Sequence, residues 1–182
     1  CEYCHMKHGG IILIKIRFAV IFSISAALLF YGCAYRFAGG GDLPGSVKRV
    51  SISVLENKTA ESGIENIITN DLIYEFTRNG KVVAKIDDAD AYLTGTIESA
   101  NDEAISHKGG HTSLERRVKV VLGLKLKDRI GNVVWTGKDI AADQAFPVMA
   151  DKIETEKQKR TAIAVLSKRL AENVYNRLTD NF

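Results

Sequence analysis

Ala91-Tyr92-Leu93-Thr94-Gly95-Thr96-Ile97-Glu98 and Leu114-Glu115-Arg116-Arg117-Val118-Lys119-Val120-Val121-Leu122-Gly123-Leu124-Lys125-Leu126-Lys127 are two alternating runs on either side of Gly109-Gly110. Successive side chains of an extended strand point to opposite faces, so such alternation marks a sheet with one buried side. Ala91, Leu93, Gly95 and Ile97 share one face of the first run, with Tyr92, Thr94, Thr96 and Glu98 on the other. In the second, Leu114, Val118, Val120, Leu122, Leu124 and Leu126 share a face. If Gly109-Gly110 is a two-residue hairpin turn, Leu93 stands opposite Leu126, Gly95 opposite Leu124, Ile97 opposite Leu122 and Ile105 opposite Leu114. A one-residue slip would break every match. Each arm would hold about 16 residues and reach roughly 50 Å at ~3.3 Å per residue, where about 5–6 residues is usual. A hairpin of that length either overhangs its core or lies against a partner.

The pattern extends outward in both directions. Val50, Ile52 and Val54 alternate with Ser51, Ser53 and Leu55, which predicts a strand with one buried face. Ser62 followed by Glu65 is a capping-box signature. Ile64, Ile68, Leu72 and Phe76, with Ile67 beside them, form a helical stripe that Asn79-Gly80 closes. Residues 81–86 read as a short strand. Gly131-Asn132 turns the chain into Val133-Val134-Trp135, a strand running to about Phe146 and stopped by Pro147. Ile163, Leu166, Leu170, Val174 and Leu178 then mark a long helix. Its first turns, with Asp151, Lys152, Glu154, Glu156, Lys157, Lys159 and Arg160, are almost wholly charged. The predicted fold class is α+β: a two-layer sandwich, two helices on one face of a mixed four- to five-stranded sheet with a long β-hairpin, forming a single domain over 47–182.

Composition agrees with one globular body. The 182 residues carry 25 Lys+Arg and 22 Asp+Glu, a net charge of +3, with 46% hydrophobic and 26% charged residues. That balance excludes a disordered polyelectrolyte, a collagen-like fibre and a polytopic membrane protein. Lys7, Lys15 and Arg17 against Glu2 give residues 1–32 a charge of +2, leaving +1 for 33–182. A near-neutral body has no means of neutralising many phosphates at once, so no nucleic acid is expected as partner.

The N-terminus reads as an export signal over residues 1–32. Cations precede the 13-residue run Phe18–Phe30, broken only by Ser23 and Ser25. A bilayer span needs about 18 or more apolar residues, a signal h-region about 7–15. The run ends in Leu28-Leu29-Phe30-Tyr31-Gly32-Cys33, which resembles a bacterial lipobox, with Phe30 and Tyr31 bulkier than usual. Such a leader is cut before the cysteine, and Cys33 would then carry diacylglycerol and acyl chains. At about 0.8 kcal/mol per buried CH₂, these hold a soluble body at a membrane without a spanning helix. The alternative is a short signal anchor with an incidental Cys33. No cysteine follows Cys33, so a disulfide framework is excluded and acylation accounts for the lone thiol. Ala34 follows the cysteine with no acid there, which by resemblance to other lipoproteins favours the outer membrane over retention at the inner one. Residues 33–46, with Gly39, Gly40, Gly41, Gly45 and Pro44, read as a flexible tether. Cys1-Glu2-Tyr3-Cys4-His5 matches the haem-attachment string but precedes the leader, and with Met6 as a natural start residues 1–5 read as a start-site artefact.

No catalytic constellation stands out, and neither an enzyme nor a cofactor is expected. The G-x-S-x-G, P-loop, dinucleotide and H-E-x-x-H patterns are all missing. His107 and His111 flank the Gly-Gly turn without an acid or thiol between them, and read as polar residues of a hairpin tip. Asp87, Asp88 and Asp90 read as turn-capping acids. One surface feature rises above this background. Arg117, Lys119, Lys125 and Lys127 share the face opposite the leucines, with Val121 and Gly123 between the two cationic pairs. Same-face neighbours lie about 6.6 Å apart, a spacing suited to a ligand with several phosphates and acyl chains, such as lipid A. The competing account is an ordinary solvated sheet face, with Asp102 expected opposite Arg117 and offsetting part of the charge.

The chain resembles the LptE family of lipopolysaccharide-assembly lipoproteins over roughly 33–178. The resemblance rests on Gly32-Cys33-Ala34-Tyr35-Arg36-Phe37 with Gly39, on Leu43-Pro44, and on the run Val50-Ser51-Ile52-Ser53-Val54-Leu55-Glu56-Asn57-Lys58-Thr59. It continues with Gly63-Ile64-Glu65, Asp88-Ala89-Asp90-Ala91-Tyr92-Leu93-Thr94-Gly95-Thr96-Ile97 and Val133-Val134-Trp135. It implies an outer-membrane lipoprotein, anchored by lipid and facing the periplasm, that plugs the lumen of the LptD β-barrel and binds lipopolysaccharide for insertion into the outer leaflet. A periplasmic lipoprotein scaffold of similar fold, without glycolipid binding, is the alternative. The family lends no ligand motif, so Arg117, Lys119, Lys125 and Lys127 stand on periodicity alone.

Overall fold

Strands β4 (Ala91–Ile105) and β5 (Glu115–Asp128) form the antiparallel hairpin that the alternation predicts, with Leu93 opposite Leu126, Gly95 opposite Leu124 and Ile97 opposite Leu122. The computed structural model describes Gly41 and residues 43–105 and 115–180, so the Gly109-Gly110 turn, His107, His111, Leu114 and Cys33 lie outside the described residues. The arms have 15 and 14 residues. Beyond Ile97 the register shifts at a bulge, and Ser99 stands opposite Val121. Ile105 therefore faces Glu115 rather than Leu114, and Arg117 faces Glu103 rather than Asp102. The cause is visible in the residues: from Glu98 to Ala104 β4 has no large apolar side chain to hold one register against another.

The remaining elements are β1 (Arg49–Ile52), β2 (Glu56–Asn57), α1 (Ile64–Arg78), β3 (Val82–Val83), β6 (Val133–Pro147) and α2 (Lys152–Thr179). They complete an α+β fold with a six-stranded mixed sheet, ordered β3-β1-β4-β5-β6 with β2 also paired to β4. β1 runs parallel to β3 and β4, β2 runs parallel to β4, and β4, β5 and β6 are antiparallel. The four- to five-strand expectation falls short by β2, whose two residues are too few to show alternation. β1 also ends sooner than expected. Val50 is buried, but Val54 is 61% exposed and Leu55 turns into the core instead, so the predicted face does not persist past Ile52.

Both helices cover the sheet face that carries Leu93, Ile97 and the even-numbered residues Val118–Leu126, all buried. On α1, Ile64, Ile68, Leu72 and Phe76 enter this core, whereas Ile67 stays partly exposed. The expected Ser62 cap is not formed. Gly63 precedes the helix in the left-handed region at φ 86°, and Glu65 Oε2 accepts from its N–H at 3.1 Å and from Asn57 Nδ2 at 2.8 Å. Asn79 and Gly80, the latter at φ 75°, end the helix. On α2, Asp151 Oδ1 accepts the Ile153 N–H at 2.9 Å as an N-cap. Leu166, Leu170, Val174 and Leu178 are fully buried, each contributing roughly 1.5–3 kcal/mol. This outweighs exposed pairs such as Glu154–Lys157, worth a few tenths. Phe76 and Tyr175 join the helices edge to face, ring centroids 5.3 Å apart at 88°. Leu43, within the stretch read as tether, is buried in the same core.

Candidate functional site

Among the described residues the other sheet face carries no helix, and there the odd-numbered residues of β5 reach solvent. Both neighbouring strands are bulged, but β5 has no inserted residue and pairs with β4 at every position from Glu115 to Asp128. Arg117, Lys119, Lys125 and Lys127 consequently share one face, as their spacing predicts. Arg117, Lys119 and Lys125 are exposed and Lys127 is half-buried.

The structure divides these four into unlike pairs. Arg117 Nε lies 3.2 Å from Asp143 Oδ2 on β6, and Lys119 stands directly opposite the same aspartate. Lys125 has Thr94 on one side and Thr136 on the other, and Lys127 has Tyr92 and Val133. Among the described residues neither of these two lysines forms an ion pair. Asp102, expected to offset Arg117, is instead held by Arg116 Nη2 at 3.0 Å on the opposite sheet face. The bulge in β4 is what moves Asp102 to that side.

Gly123 sits between the two pairs, and a bulge flanks it on each neighbouring strand. On β4 the extra residue is Glu98, between Ile97 and Ser99. On β6 the pairing jumps from Gly137 opposite Leu124 to Ile140 opposite Leu122, leaving Lys138 and Asp139 out of register. Asp139 adopts φ 52°, the only positive value outside glycine among the described residues. The displaced Lys138 carbonyl accepts from Arg177 Nη1 of α2 at 3.2 Å, so the bulge is secured from behind. The outcome is an open groove of about 480 Å³, lined by Lys58, Thr96, Glu98, Gly123, Lys125, Thr136, Lys138 and Asp139. A contiguous depression of about 270 Å³ shares Thr96, Gly123 and Lys125 and adds Glu56 and Lys127. The Glu98 carboxylate lies over Gly123, in the space where a side chain on that residue would begin.

Lys58, Glu98, Lys138 and Asp139 are contributors that the alternation did not single out. Lys58 follows the two-residue β2, and the other three owe their position to bulges, which interrupt the periodicity used to find the stripe. Asp87 and Asp88 belong to a single 3-10 turn, Ile86–Asp88, as expected of turn acids. Asp90 accepts from the Arg49 backbone N–H at 3.0 Å and from its Nη2 at 2.9 Å. Among the described residues no group of three His, Cys, Asp or Glu converges on a metal position, and no helix is long and apolar enough to cross a membrane.

Solved structures with this fold include a minor lipoprotein from Acinetobacter baumannii (TM-score 0.53, 16% identity, covering 74% of this chain and 94% of that one). Lipoprotein B from Nitrosomonas europaea is similar (TM-score 0.54, 16% identity, 82% and 92% covered). At that identity they show the shared fold alone. No curated protein matches the chain in sequence. Residues 47–178, however, match the family described as LptE, Lipopolysaccharide-assembly, a stretch that takes in every strand and nearly all of both helices. The chain belongs to the LptE family of lipopolysaccharide-assembly proteins.

Proposed function

We propose that the protein is an outer-membrane lipoprotein that plugs the LptD β-barrel and binds lipopolysaccharide on the basic face of β5. Family membership over residues 47–178 carries this reading. The exposed Arg117, Lys119 and Lys125 with half-buried Lys127, on the sheet face that neither described helix covers, support the ligand part of it. Lysine and arginine act as counter-charges for phosphate, and the long hairpin offers a surface of the length a barrel wall or lumen would cover. The protein acts by binding and placement, without a catalytic step. Acyl chains on Cys33 hold it at the membrane, facing the periplasm and the barrel interior.

Affinity purification of the tagged chain from envelopes, combined with metabolic fatty-acid labelling, tests this. Co-purification of a large β-barrel protein, and labelling lost in Cys33→Ala, are the expected results. A chain that brings down no barrel would leave the scaffold alternative in place, and labelling that persists in Cys33→Ala would refute the anchor.

A further inference from the structure

We infer that the groove over Gly123 receives a phosphate group borne by a saccharide, with Lys58, Lys125 and Lys138 as its counter-charges, and that the Glu98 carboxylate holds this place when the ligand is absent. The inference rests on the lipopolysaccharide-binding reading and locates it at one point of the basic face. Three observations carry it.

The first is the coincidence of two bulges on one glycine. Bulges re-aim side chains at the cost of ladder pairing. Here they bring Glu98 from β4 and Lys138 and Asp139 from β6 to the rim of the same groove. Asp139 holds a left-handed backbone to do so, a conformation that costs about 1–3 kcal/mol and persists only where the surroundings enforce it. Arg177 of α2 supplies part of that enforcement through the Lys138 carbonyl.

The second is the chemistry of the lining. Three ammonium groups stand with two threonine hydroxyls, Thr96 and Thr136, around the floor formed by Gly123. Thr96 Oγ1 donates to Glu56 Oε2 at 3.1 Å, and Lys58 meets the same carboxylate only at 3.8 Å in solvent, a contact that contributes little. Ammonium groups neutralise phosphate oxygens, and Asp139 with the threonines accepts from or donates to sugar hydroxyls.

The third is the charge count. Across the groove and the depression that adjoins it, Lys58, Lys125, Lys127 and Lys138 against Glu56, Glu98 and Asp139 leave one surplus positive charge. When Glu98 swings away the surplus becomes two, which matches a phosphomonoester near neutral pH. Glu98 can leave readily: it contacts Gly123 with the end of a flexible side chain, and Gly123 has no side chain to oppose an incoming group.

Binding of rough lipopolysaccharide to the full lipidated chain in detergent separates the possibilities. Lys125→Gln with Lys138→Gln is expected to weaken binding about tenfold, and Glu98→Gln to strengthen it about threefold. Dephosphorylated lipopolysaccharide should lose the distinction among the variants. All substitutions lie on a solvent-facing surface, and unchanged melting would confirm that folding is intact. Equal binding by wild type and both variants would overturn the groove while leaving the glycolipid reading standing. If the wild type binds no lipopolysaccharide, the glycolipid reading fails. Inorganic phosphate followed by the Gly123 amide resonance then decides the groove, a shift supporting a phosphate site and no shift refuting it. Phosphatidylglycerol vesicles bound as tightly as lipopolysaccharide, with the same response to Glu98→Gln, would replace a saccharide phosphate by a lipid head group and overturn that part.

Discussion

Arg117 Nε on β5 and Asp143 Oδ2 on β6 stand 3.2 Å apart, and among the described residues this divides the basic face into a half with an ion pair and a half that forms none. Lys119 stands opposite the same Asp143 in the strand register, so this carboxylate lies toward the hairpin end of the basic face. Toward the other end Lys125 and Lys127 have threonine, tyrosine and valine as cross-strand neighbours. Charge reversal toward the hairpin end should therefore matter less. Arg117→Glu with Lys119→Glu is expected to weaken lipopolysaccharide binding about threefold and to change stability by less than about 0.5 kcal/mol, as exposed pairs usually do. Titration of the double variant measures the first and urea unfolding the second. Binding identical to wild type would return these two residues to an ordinary solvated surface.

The hairpin was legible because its leucines have one register in which all of them meet apolar partners. That holds from Leu93 to Ile97 and fails at Glu98, where the sequence turns polar and small and no longer chooses between registers. The helices were legible for the same reason, through Ile64, Ile68, Leu72 and Phe76 and through Leu166 to Leu178. Their caps were less so. Ser62 and Glu65 have the spacing of a reciprocal cap, but Asn57, brought close by the short β2, competes for the Glu65 carboxylate. The cationic stripe was visible on β5, the one long strand without a bulge. The groove was not, because it is made by what bulges do to Glu98, Lys138 and Asp139.

The two inward and outward glycines of β5 and its neighbour should respond differently to alanine. A Cβ on Gly95 would stand 2.6 Å from the Gly123 carbonyl oxygen, a backbone atom fixed in the sheet, and would also strike the Leu124 side chain. Gly95→Ala is expected to cost about 2–3 kcal/mol, the range of overpacking in a tight core. Gly123→Ala meets only the movable end of Glu98 and should cost less than about 1 kcal/mol while filling the groove floor. Urea midpoints of both variants give the comparison. The reverse order would mean that the Gly95–Leu124 register is wrong.

Lys159 of α2 and Glu61, before α1, form the least exposed ion pair among the described residues, with side chains 11% and 29% exposed. It ties the charged first turns of α2 to the loop after β2. Lys159→Met leaves the carboxylate without its counter-charge in a half-buried position, and a loss of about 1–3 kcal/mol is expected. Lys159→Met with Glu61→Leu should recover most of it, since a well-packed apolar pair can match a desolvated ionic one. Thermal melts of the single and double variants measure the coupling. A double variant as unstable as the single one would show that the charge pair, rather than relief of an orphaned carboxylate, supports this corner.

Asp90 gives the fold a pH dependence with a definite sign. Its carboxyl is held below the ordinary 3.8, first by the hydrogen bond from the Arg49 side chain and then by the Arg49 backbone N–H. A depressed carboxyl favours the folded chain while it is ionised, so its contribution is complete above the unfolded value and is lost as pH falls through the lower folded one. Asp90→Asn keeps the shape and removes the charge. The wild type should therefore exceed Asp90→Asn in urea midpoint by a constant margin above about pH 5, and the margin should close below about pH 4. Glu65 and Asp128 are also held low, but both variants share them and they cancel in the difference. A margin that survives unchanged as pH falls through the depressed Asp90 value would mean that Asp90 acts through its shape and neutral hydrogen bonds instead of its charge.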